Sequence, residues 1–156
     1  MFDNIDSYFA DCIASMDEMG HLDLDSKKGK SPGGYNYPLY EIGVPFIFMN
    51  AVGSHRDLIT MIHEGGHTSL DGAWGGLIKW YQWKKMIEAD NKYISKYARD
   101  FPKREDLAET INWWIAVRCK SDRISKSNYK KIIKGIPNRL KYLDEQNFNT
   151  YPLKCD

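Results

Sequence analysis

His63 and His67 stand four residues apart with Glu64 and two glycines between them, and the segment His63-Glu64-Gly65-Gly66-His67 constrains the fold more than any other stretch. Its setting is helical. Leu58, Ile59, Met61 and Ile62 supply an apolar face ahead of it, and Ser54 followed by Asp57 has the pattern of an N-cap with a capping-box return. Each glycine costs about 1 kcal/mol relative to alanine inside a helix, so the pair needs a packing or functional reason.

Residues four apart on a helix project side by side, one turn apart. Two imidazoles so placed can reach a single zinc ion, while Glu64, next to the first histidine, can take a proton from an activated water without occupying the metal. Average residue usage yields HExxH by accident in roughly half a percent of chains this long, so chance is the weaker reading. A hydrolytic zinc site needs a third protein ligand. His55 lies two turns before His63, too far along the axis, and His21 follows Gly20 in a loop. Carboxylates are the better candidates. Glu105 and Glu109 lie one turn apart on a helix that Pro102 can open, with the small Ala108 between them permitting close approach of another helix. Glu105 is then a candidate ligand, with Glu109 or Asp106 orienting a ligand histidine.

Elsewhere the apolar spacing of Ile5, Phe9, Ile13 and Met16 predicts a helix ending near Gly20. Asp25 to Tyr40, with Gly29, Pro32, Gly33, Gly34 and Pro38, reads as a loop, and Val44 to Asn50 as the one convincing strand. Helices are expected from about Trp74 to Tyr97, with Leu77, Ile78, Tyr81, Ile87 and Ile94 inward, and from Pro102 through Leu107, Ile111, Trp114, Ile115 and Arg118. Two shorter ones, broken at Gly135-Ile136-Pro137, fill Ser125 to Asn147. No repeat or linker divides the 156 residues, so one domain is expected.

With 22 basic and 21 acidic residues the chain lacks the electrostatic footprint of a nucleic-acid binder. No apolar stretch is long enough to span a bilayer, and the acidic N-terminal residues are unlike a secretory signal. Cys12, Cys119 and Cys155 are odd in number and far apart, which argues against a disulfide framework and a thiolate zinc site, and for a reducing, cytoplasmic compartment. A processed secreted protein would also lack its signal.

Two resemblances meet in the chain. Asp23 through Tyr35, Pro45-Phe46-Ile47-Phe48-Met49-Asn50 and His55 through His67 resemble the oligoendopeptidase F branch of the thimet-type (M3) metallopeptidases, which implies His63 and His67 as zinc ligands and Glu64 as the catalytic carboxylate. That family takes its third ligand from a glutamate roughly 25 residues beyond the second histidine, and the nearest equivalent here is Glu88. Tyr93 through Arg99 and Glu105-Asp106-Leu107-Ala108-Glu109 instead resemble the third-ligand segment of lethal-factor and Pro-Pro-endopeptidase-like peptidases. This implies Glu105 as third ligand, Glu109 in support, and Tyr97 as the oxyanion-stabilising hydroxyl, with Tyr93 the alternative.

Together these readings lead us to expect an α+β, mainly helical, zincin-like domain with a small sheet. Zinc would be held by His63, His67 and Glu105, with Glu64 and Tyr97 acting on a peptide or protein substrate. The strand at 44–50 would form the cleft's edge, pairing with that substrate. The competing class is a non-catalytic helical binding module with a structural or vestigial zinc site.

Overall fold

The protein is described by a computed structural model over residues 7–37, 39, 41, 45–72, 75–150 and 153–155. Ile5, Pro38, Tyr40, Val44 and Trp74 lie outside the described residues, as do the side chains of Phe9, Cys12 and Ile13. Helix α1 (Ser7–Glu18) buries Met16 and ends ahead of Gly20, which turns the chain at φ 68°. Strands β1 (Leu22–Asp25), β2 (Gly34–Tyr37) and β3 (Phe46–Ala51) follow. The architecture is α+β and mainly helical, with one small sheet in the order β1-β3-β2.

The sheet corrects two expectations. Two further strands accompany the one predicted from composition, and β2 lies inside the stretch expected to be loop. The predicted strand is also central: β1 pairs with it in parallel and β2 antiparallel, so its backbone groups are used on both sides. It is therefore not the edge strand that was expected. Among the described residues the sheet's edges are β1 and β2. Alternation along β3 buries Ile47 and Met49, which pack with Met16 beneath the sheet.

Helix α2 (His55–Gly66) starts as its sequence demands, the Asp57 carboxylate accepting from the backbone N–H of Ser54 at 2.6 Å and of Val52 at 3.0 Å. The helix widens into a π-helical turn at His67–Asp71 and stops at Gly72. The helix expected from Trp74 starts later. Gly75 and Gly76 interrupt it, α3 spans Trp80–Asp90, and Asn91 closes it in the left-handed conformation at φ 48°. Ile78 and Ile87 are buried as expected, whereas Leu77 and Tyr81 face solvent. Helix α4 (Lys96–Asp100) is capped by Ser95, whose Oγ accepts from Ala98 N at 3.0 Å.

Pro102 opens α5 (Pro102–Cys119), where its missing N–H costs nothing. Leu107, Ile111, Trp114 and Val117 of α5 form the main core with Trp83 and Ile87 of α3, Ile132 of α6 (Lys126–Gly135) and Leu140 and Leu143 of α7 (Pro137–Asp144). Arg139, fully buried on α7, binds Asp90 at 2.9 Å, Asp106 of α5 and the Lys92 carbonyl, while Trp83 Nε1 donates to Asp106 at 2.9 Å. Removing Arg139 would strand two buried carboxylates, at a cost of about 3–5 kcal/mol. This cluster fixes the first turns of α5 against α3 and α7.

After α7 the chain returns along α5. Asp144 accepts from Trp114 Nε1 at 2.7 Å and from Arg118, and Phe148 packs edge-on to Trp114. A disulfide joins Cys119 to Cys155. The cysteines were expected to be unpaired. Residues 36 apart are brought together by tertiary packing that local spacing does not register, and the pairing removes the ground on which a reducing compartment was expected. No helix of the described residues is long and apolar enough to cross a membrane.

Candidate metal centre

Helix α5 packs against α2 at Gly66. A Cβ on Gly66 would meet Ile111 Cγ2 at 3.4 Å and the Ala108 Cα at 3.5 Å, ordinary contact distances that mark where the two helices pack. That packing carries Glu105, one turn before Ala108, to the two histidines. One carboxylate oxygen of Glu105 lies 3.2 Å from His63 Nε2 and 3.2 Å from His67 Nε2. Ligand atoms of the three residues all lie within 4.8 Å of one another, a group that could hold a metal ion. A tetrahedral ion with bonds of about 2.1 Å separates its ligands by about 3.4 Å, close to the two 3.2 Å separations between Glu105 and the histidines.

The outer nitrogen of each ring also meets a carboxylate. His67 Nδ1 is 2.9 Å from Asp71, and His63 Nδ1 is 3.4 Å from Glu109. Such contacts fix ring orientation and tautomer and strengthen the histidine as a donor. Glu109 was anticipated in this place. Asp106, the alternative, is turned into the core by Arg139, because consecutive helical residues lie about 100° apart and Glu105 already takes the inward face. Asp71 was missed, although its signal was legible as a carboxylate one turn after the second histidine.

Glu64 is 6% exposed, and burial raises its carboxyl above the ordinary range, against the pull of both histidines. The backbone of Asn36 on β2 acts in the same lowering sense as the histidines. For Glu105 burial acts in the same upward sense, but His63, His67 and Tyr97 outweigh it and hold the carboxyl well below the usual range. The cluster therefore carries an ionised acceptor, Glu105, beside a carboxyl shifted the opposite way, Glu64.

Tyr97 on α4 is half-exposed, and burial, followed by the influence of Glu105, pushes its hydroxyl up to about 12. Tyr93 lies instead beneath the guanidinium of Arg139, 5.7 Å from ring centroid to Cζ. Glu88 sits on the exposed surface of α3, 3.5 Å from Lys84, and takes no part in the cluster. His21 Nδ1 lies 3.2 Å from the Pro45 carbonyl, and His55 is exposed at the start of α2. The structure thus brings together His63, His67, Glu64, Glu105, Glu109 and Tyr97, and leaves out Glu88, Tyr93, His21, His55 and Asp106.

Comparison with protein-family models, with curated proteins and with solved structures returned no match.

Proposed function

We propose that the chain is a zinc-dependent, zincin-like peptidase in which His63, His67 and Glu105 hold the metal and Glu64 is the general base. The observation that carries this reading is the convergence of two imidazole nitrogens on one Glu105 oxygen, 3.2 Å from each, beside the buried Glu64. Two nitrogens and one carboxylate oxygen are a donor set that suits zinc in hydrolytic sites. A purely structural site would be closed by a fourth protein ligand, and among the described residues the candidate group has three. The resemblances to M3 oligopeptidases and to lethal-factor-like peptidases point the same way.

Bound zinc would supply Lewis acidity, polarising the scissile carbonyl and bringing a water's pKa toward neutrality. Glu64 would accept the proton of the attacking water as its oxygen bonds to the carbonyl carbon, and return it to the amine as the C–N bond breaks. Tyr97, half-exposed and close to Glu105, would donate its hydroxyl hydrogen to the oxyanion that develops on the carbonyl oxygen. Asp71 and Glu109 hold the two imidazoles in register.

The strand that receives substrate is β2 on this reading, in place of β3. Gly33 O accepts from Asn50 N at 3.1 Å, so by antiparallel alternation Tyr35 and Tyr37 pair with β3 while Gly34 and Asn36 turn their backbone groups outward. That outward edge lies alongside Glu64, where an extended peptide can add as a further strand.

Metal analysis of the purified protein, combined with hydrolysis of a mixed peptide library before and after chelation, tests the proposal. Zinc at one equivalent and chelator-sensitive cleavage are expected. A metal-loaded protein that cleaves nothing in the library would favour the non-catalytic reading.

A further inference from the structure

We propose that Asn36 is a positioning residue for the site: its side-chain amide donates to the Glu64 carbonyl at 3.1 Å and to Thr68 Oγ1 at 2.6 Å, tying the sheet edge to α2 on both sides of His67. This rests on the reading of Glu64 as general base.

The argument is one of geometry. Glu64 and Thr68 are four apart, so they lie on one side of α2 and its π-helical continuation, and one amide can span them. Thr68 Oγ1 also donates back to the Glu64 carbonyl at 3.2 Å, closing a three-membered ring of contacts with Asn36. None of these atoms is a candidate metal ligand.

The contact also lies where the helical ladder changes. From His67 to Asp71 the chain is π-helical, a rare geometry that is frequent at functional sites. Asn36 supplies external bonds at that junction. Gly34, two residues earlier, permits the approach: a Cβ there would come within 2.6 Å of Thr60 Cγ2 on α2. Strand and helix are therefore in contact at Gly34 and hydrogen-bonded at Asn36. A substrate adding to the β2 edge would lie against the residue that places the base.

The test compares wild type, Asn36→Ala and Thr68→Val as zinc-loaded full chains, reading zinc content, kcat, KM and hydrogen exchange over residues 61–72. Removing the amide should lower kcat about 10–100-fold, as is common for groups that orient a metal site from outside. Zinc content and KM should stay within about twofold, and exchange over 61–72 should quicken. Thr68→Val, which removes the shorter of the two side-chain bonds, should reproduce part of the effect. A kcat within twofold of wild type in Asn36→Ala, or a loss of kcat matched by loss of zinc, would overturn the positioning role. If wild type cleaves no peptide, the peptidase reading fails on its own, and unchanged exchange over 61–72 in Asn36→Ala then overturns the tie.

Discussion

Glu105 and Glu88 separate two ways of completing the same histidine pair, and the difference is one of burial. Glu105 is 7% exposed, with both Nε2 atoms on one of its oxygens, while Glu88 is solvated beside Lys84. Titrating zinc into the variants should show Glu105→Ala weakening affinity by at least 10–100-fold, an order typical even for outer contacts to a metal site, and Glu88→Ala leaving it within twofold. Equal losses would reinstate Glu88. The pair was distinguishable in the sequence because Glu109 follows Glu105 at helical spacing and Glu88 has no such companion. Asp71 was harder to find. Its role depends on His67 offering Nδ1 while Nε2 faces Glu105, a division of the ring that residue order does not encode.

At the scale of elements, the helices were legible where capping and punctuation were strong: Ser54 with Asp57, Pro102 at the first turn of α5, and the break at Gly135-Ile136-Pro137 between α6 and α7. Strands β1 and β2 were not, because four residues apiece give too little pattern and their order comes from pairing with β3. Their placement makes β2, beside α2, an edge of the sheet. Gly34→Ala should then disturb that edge, since its Cβ would meet Thr60 Cγ2 at 2.6 Å and Met49 Cγ at 2.9 Å. Overpacking of this kind costs about 1–3 kcal/mol, measurable as a lowered denaturation midpoint. A midpoint equal to wild type would mean that β2 stands further from α2. For substrate, a proline at the centre of a cleaved peptide removes a ladder donor and should weaken binding, read as a raised KM against the alanine peptide. Equal KM values would argue against strand addition.

Across the whole molecule, the carboxylates around the two histidines make stability depend on pH. Burial opposes charge on both histidines, but Glu105 and Glu109 raise His63 to about 9, and Asp71 and Glu105 raise His67 to about 10, against 6.5 for a free imidazole. Without metal the folded chain therefore holds protons that the unfolded chain has released. Their contribution is full below about pH 6.5 and is lost as pH climbs through about 9 to 10. Thermal melts of metal-free protein should fall across that window, and melts of zinc-loaded protein should lack this component, because ligation requires neutral imidazoles. A metal-free melting temperature that stays level or rises would contradict the sign. The Cys119–Cys155 link shows where legibility ended at this scale: it depends on the tail returning along α5 past Trp114 and Arg118. The chemistry itself is tested most directly by Glu64→Gln, which removes the base and no ligand. Zinc content should match wild type while peptide cleavage falls to background; cleavage retained near the wild-type rate would contradict Glu64 as the general base and the mechanism with it.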